Sequence, residues 1–154
     1  MISTADEALL RRAIALAAHA ITVGDAPYGS LLADPDGAIL VEAHNTVRRD
    51  NDISAHPELK LARWAARELD SAVAARTTMY TSCQPCSMCA GAIGLFKLSL
   101  LVIGESVTFP GSKDILTKFG IPYIDLEDQR SIDMMKSWRS IPANERLWQG
   151  DIGN

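Results

Sequence analysis

Residues 76–103 read RTTMYTSCQPCSMCAGAIGLFKLSLLVI. Arg76 to Thr81 is a short run rich in β-formers, and Leu98 to Ile103 is a second, apolar run. Between them, Cys86 to Lys97 has the Ala- and Leu-containing composition of a helix. Strands alternating with helices point to an α/β sandwich with a mixed sheet.

The flanking segments extend that pattern. Thr4 to Glu7 fits a capping box, and Leu10, Ala13, Ile14, Ala17 and Ile21 then recur at helical spacing up to a stop at Gly24. Pro27 to Ala33 and Ala38 to Ala43 are apolar runs separated by Asp34-Pro35-Asp36-Gly37, which predicts a β-hairpin. Asn45 to Ser54 is polar and reads as a loop, and Leu59 to Leu69 reads as a helix. Downstream, Ile115 to Phe119 is a short helix, Ile121 to Leu126 a strand and Ser131 to Ser140 a helix.

The chain has 154 residues, a formal charge of −4 and a pI near 5.3. That length suits one domain, expected over residues 1–154, with a core large enough to need no disulfide scaffold. No apolar run approaches the ~20 residues that span a bilayer. No basic region followed by an apolar core opens the sequence, so a cytoplasmic protein without a membrane partner is expected. The acidic balance argues against a polyanionic partner such as nucleic acid.

All three cysteines, Cys83, Cys86 and Cys89, fall in one stretch, which suits metal binding or catalysis better than a disulfide framework. Cys86 and Cys89 stand three apart, so a helix presents both on one face. Pro85 sits where such a helix would begin, and a helix N-terminus favours the thiolate. His56, in Ala55-His56-Pro57-Glu58, supplies a nitrogen ligand. Three protein ligands leave a fourth tetrahedral position for water, the layout of catalytic rather than structural zinc. Glu58 then becomes the group that takes a proton from that water and delivers it to a leaving amine. This His-x-Glu…Pro-Cys-x-x-Cys order is the signature of zinc deaminases.

Other readings compete residue by residue. Cys83 is either a fourth ligand of a structural zinc or a small buried residue at a strand end. A thioredoxin-like reading of Cys86 and Cys89 leaves His56 and Glu58 unexplained. Asn45, after His44 at the end of the second strand, suits either a contact to a polar heterocycle or turn chemistry. His19 reads as a surface or packing residue, and Phe109, Trp138 and Trp148 as core by default.

With these residues in order, the sequence resembles the cytidine-deaminase-like zinc hydrolases along nearly its whole length. The motifs are Ala26-Pro27-Tyr28-Gly29, His44-Asn45, His56-Pro57-Glu58 and Pro85-Cys86-Ser87-Met88-Cys89-Ala90-Gly91-Ala92. Gly104-Glu105-Ser106-Val107-Thr108-Phe109 and Trp148-Gln149-Gly150-Asp151-Ile152-Gly153 are most similar to fungal-type cytosine deaminases. Thr81-Ser82-Cys83-Gln84-Pro85-Cys86 looks more like the guanine-deaminase version.

The resemblance implies a three-layer α/β/α sandwich around a five-stranded mixed sheet, usually as a homodimer. It implies one Zn2+ per chain on His56, Cys86 and Cys89, with Glu58 as proton shuttle. It also implies Asn45 as a base contact, an aromatic lid from Phe109 and Trp148, and Asp151 on the exocyclic amine and an adjacent ring nitrogen. Residues 148–154 would be a pocket-closing tail. Pro57 departs from the pattern: these families usually carry Gly or Ala there, and its backbone N–H helps hold the ring oxygen, whereas proline has none.

The expected activity is hydrolytic deamination of a free, small amino-heterocycle, releasing ammonia. Cytosine or a close analogue such as isocytosine leads. A guanine- or amino-triazine-type base comes second, and a tRNA adenosine deaminase third. Outside enzymes, the same motifs suit a zinc-stabilised interaction module.

Overall fold

The computed structural model describes residues 2–106, 111–142 and 145. Its elements run α1 (Thr4–Thr22), β1 (Gly29–Ala33), β2 (Ile39–His44), α2 (Val47–Asp50), α3 (Pro57–Glu68) and α4 (Ser71–Ala74). They continue with β3 (Thr78–Cys83), α5 (Ser87–Phe96), β4 (Leu100–Glu105), α6 (Ser112–Lys118), β5 (Tyr123–Asp125) and α7 (Gln129–Ser140). The strands form one five-stranded sheet in the order β2-β1-β3-β4-β5. β1 is antiparallel to β2 and β3, whereas β3, β4 and β5 are parallel, so the sheet is mixed.

The period-2 alternation of the strands makes two cores. Leu32, Met79, Leu101 and Ile103 face one way and pack with Leu61 and Ala65 of α3 and Ala90 and Ile93 of α5. Leu31, Ala33, Tyr80 and Val102 face the other way and pack with Leu9, Leu10, Ala13 and Ile14 of α1. α7 flanks α1 on that second face and rests on β4, which completes the α/β/α sandwich. α1 lies directly on the backbone of β1. A Cβ on Gly29 would stand 2.3 Å from the Ala13 carbonyl oxygen and 2.4 Å from the Ala17 nitrogen.

The elements follow the sequence reading with several corrections. The capping box is Ser3 and Asp6, one residue before Thr4 and Glu7: Asp6 N–H donates to Ser3 Oγ at 3.2 Å, and Ser3 N–H donates to Asp6 Oδ2 at 2.7 Å. The hairpin turn forms as predicted, with Asp34 Oδ1 accepting from Asp36 N and Ala38 N and Gly37 at φ +83°. The loop after β2 contains α2, closed by Asn51 in the left-handed region. α3 begins at Pro57, two residues before the expected Leu59, because proline's fixed φ suits the first helical position. Pro85 lies outside α5, whose N-cap is Cys86. Trp138 is half-buried on α7 rather than in the core. Among the described residues, no helix is long and apolar enough to cross a membrane.

Candidate active site

One end of the sheet collects the chemistry-bearing side chains. Gly29 opens β1 opposite His44, where β2 ends, and Cys83 at the end of β3 pairs with Glu105 at the end of β4. His56 is the N-cap of α3 and Cys86 the N-cap of α5. Neither side chain caps its own helix, so both are available to a shared centre. Both helix dipoles place partial positive charge at these ends, which favours thiolates and other anions.

His56 Nδ1, Cys86 Sγ and Cys89 Sγ form a nearly equilateral triangle. The sulfurs are 3.6 Å apart, and Nδ1 lies 3.6 Å from Cys86 Sγ and 3.7 Å from Cys89 Sγ. Zinc at ~2.3 Å from sulfur and ~2.0–2.1 Å from nitrogen in a tetrahedron requires edges of about 3.8 and 3.6 Å. The triangle therefore fits one zinc ion with a fourth corner open, and all three residues are buried. Cys83 lies outside this group. Its thiol donates to Glu105 Oε2 at 3.8 Å, and Arg139 Nη1 donates to Glu105 Oε1 at 3.0 Å. Cys83 is thus the buried strand-end residue, and its burial, with the Glu105 charge, holds the thiol well above the usual range.

The electrostatics separate the two ligand thiols. Hydrogen bonding from Cys89 holds Cys86 at about 4 against its burial, with His56 adding to the effect. Cys89 is raised by donating that bond and by burial. Burial opposes charge on His56, but the Cys86 hydrogen bond and the Glu58 charge outweigh it and raise the imidazole.

Glu58, at the second position of α3, is buried, and this desolvation raises its carboxyl. Thr81 Oγ1 donates to Glu58 Oε1 at 2.9 Å, and Ser30 Oγ donates to Thr81 Oγ1 at 2.9 Å across the β1–β3 pair. Neither hydroxyl was singled out in the sequence, although each sits in a buried stretch of strand, where a polar group needs a partner.

Asn45 is fully buried and tightly held. Its N–H donates to the Tyr28 carbonyl at 2.9 Å, and Val47 N–H donates to its Oδ1 at 3.1 Å. His44 Nδ1 lies 2.9 Å from its carbonyl oxygen, which can only accept, so this ring nitrogen carries the hydrogen. Asn45 Nδ2 has no hydrogen-bond partner among the described residues. The next residue, Thr46, donates its N–H to the Ala55 carbonyl at 3.1 Å, beside the turn that delivers His56. Of the other expected residues, His19 is exposed on α1 with its ring edge-on to His44, and Phe109, Trp148 and Asp151 lie outside the described residues.

Comparison with known proteins decides the family. Residues 3–105 match the cytidine and deoxycytidylate deaminase zinc-binding region. The chain belongs to that family. This deaminase is similar to cytosine deaminase of Candida albicans, with 32% identity over 148 residues, covering 96% of this chain and 97% of the relative. It is also similar to guanine deaminase of Bacillus subtilis, with 40% identity over 88 residues, or 56% of each chain. Its fold matches the guanine deaminase of Nitrosomonas europaea at a TM-score of 0.73 and 19% identity, over 88% of this chain and 85% of that one. It is a zinc-dependent hydrolytic deaminase, and the His/Cys/Cys group fits one Zn2+.

Proposed function

We propose that this deaminase acts on a free, small amino-heterocycle, with cytosine or a close analogue such as isocytosine as the leading substrate. The observation that carries the reading is Asn45. Its Oδ1 is occupied, so it offers a buried, unpaired donor, Nδ2, on a segment bonded to the turn before His56. Such a donor is costly to bury alone and suits an acceptor on a bound ring. The similarity to Candida cytosine deaminase along 96% of the chain supports the pyrimidine.

In this reading His56, Cys86 and Cys89 hold the zinc. A zinc ion held there would supply Lewis acidity, bringing the deprotonation of water into the neutral range. Water adds its oxygen to the ring carbon bearing the amine; the C–N bond breaks and ammonia leaves. Glu58 accepts the water's proton and returns it to the departing nitrogen. Thr81 pins Oε1, leaving Oε2 for that transfer. The raised carboxyl of Glu58 suits a group that must both take and give a proton. Asn45 Nδ2 donates to the ring carbonyl. The resemblance assigns the remaining substrate contacts to Asp151, Phe109 and Trp148, which lie outside the described residues.

A guanine- or amino-triazine-type base is the second reading. It draws on the 40% identity to Bacillus guanine deaminase over 88 residues and on Cys83 in the stretch before Cys86.

The test is ammonia release across free bases, nucleosides, nucleotides and tRNA, with Glu58→Gln as control. Free bases should exceed their nucleosides, with cytosine or isocytosine leading. The variant should keep its zinc and lose well over ~10²-fold in kcat. Efficient turnover of cytidine, or of tRNA adenosine alone, would overturn the reading.

A further inference from the structure

We propose that Lys60 is a positioning residue for Asn45 and thereby sets how tightly the base is held. Lys60 lies one turn beyond His56 on α3, its N–H donating to the His56 carbonyl at 3.1 Å. Its side chain is half-buried and runs to the strand-end segment that carries Asn45. Lys60 Nζ donates to the His44 carbonyl at 3.0 Å and to Thr46 Oγ1. One ammonium therefore grips the residues on both sides of Asn45. Thr46 Oγ1 passes its own hydrogen to Asp50 Oδ2 at 2.5 Å, so the grip extends into α2.

This arrangement does something the backbone bonds do not. Tyr28, Ala55 and Val47 fix the height and turn of the segment. Lys60 ties it to α3, the helix that carries His56 and Glu58. The base contact and the proton carrier are thereby referred to one rigid element, and small errors in such a distance weaken the hold on the base. A charged donor is suited to this because hydrogen bonds from an ammonium are stronger than neutral ones. The burial that makes the grip firm also lowers Lys60, although Asp50 and Asp25 favour the charged form.

The proposal rests on the reading of Asn45 as a base contact, and the experiment has one arm independent of catalysis. Lys60→Met and Lys60→Gln are compared with the wild type and Asn45→Ala, and zinc content is measured in each sample. Amide hydrogen exchange should quicken by about tenfold or more at Asn45 and Val47 in both Lys60 variants and stay unchanged in β3. KM for the best base should rise by about tenfold with little change in kcat, the loss expected of one charge-assisted hydrogen bond. In the Asn45→Ala background the same Lys60 substitutions should leave KM within about twofold, because coupled residues are not additive. Unchanged exchange at Asn45 and Val47, or equal KM effects in both backgrounds, would overturn the proposal. Wild-type protein that releases ammonia from no base would defeat the functional reading instead, while the exchange arm would still decide the grip.

Discussion

Thr81 Oγ1 donates to Glu58 Oε1 at 2.9 Å, with both side chains buried. In its absence one carboxylate oxygen loses its partner and the carboxyl can rotate away from the site. Thr81→Val, nearly equal in volume, should therefore lower kcat by about tenfold, from one lost bond to a charged group. Zinc content should stay at the wild-type value, and Thr81→Ser should restore most of the rate. A Thr81→Val enzyme of normal kcat would show that the bond does not hold Glu58 for catalysis.

The three-ligand arrangement makes a separate prediction about metal. Cys86→Ser and Cys89→Ser should each lose most of the zinc. They should also melt at least about 5 °C lower, because metal binding couples to folding. Cys83→Ala should retain full zinc, since its thiol faces Glu105. Elemental analysis of purified protein with thermal melting checks all three; full occupancy in either ligand variant would sink the assignment.

Pro57 begins α3 and has no N–H to offer a substrate. A ring acceptor left unpaired there costs about 1–3 kcal/mol, or roughly 5- to 150-fold. Pro57→Gly should therefore raise kcat/KM for cytosine relative to the best other base. Glycine also weakens the helix start, so zinc is measured in the same sample. Retained zinc with an unchanged substrate ranking would remove Pro57 from specificity.

On the opposite face, Tyr80 Oη donates to Asp6 Oδ1 at 2.5 Å, joining β3 to the first turn of α1. This bond holds the Asp6 carboxyl below its ordinary range, with the Ser3 cap helping. A depressed folded-state value stabilises the protein above the ordinary carboxylate pKa. That stabilisation is lost as pH falls through the folded value. Tyr80→Phe should cost about 1 kcal/mol at pH 7, the surface setting of Asp6 reducing the effect. The variant's stability should then converge on the wild type's as pH falls below 4. Parallel curves for the two proteins from pH 7 to pH 3 would contradict the linkage.

Much of the fold was legible because its signals are local. The hairpin rests on Asp34 and Gly37, whose turn chemistry needs no tertiary contact. The metal triad was legible because thiolates and imidazole are the ligands zinc accepts, and a spacing of three brings Cys86 and Cys89 together. Thr81 and Lys60 were not legible. A threonine in a strand is ordinary, and its bond to Glu58 exists only once the fold brings Thr81 within reach of the first turn of α3. Lys60 reads as solvated helix surface until the end of β2 and the start of α2 bring His44 and Thr46 under its ammonium. The capping box shifted by one residue because Ser3-Thr4 and Asp6-Glu7 offer two equivalent registers. Glu58 and Asp151 differ in another way: local order made the first readable, whereas only resemblance supplied the second.

The triangle of His56, Cys86 and Cys89 joins positions 30 apart in sequence, measured from His56 to Cys86. An ion bound across that span would stabilise the folded chain, because the unfolded chain has no formed site to hold it. The enclosed segment contains α3, α4 and β3, and β3 is the middle strand, paired with both β1 and β4. A chain deprived of metal is therefore untethered at the centre of its sheet rather than at an edge. Metal-free protein should therefore be cut faster by added protease than the zinc-loaded form, with the segment around β3 among the first to open.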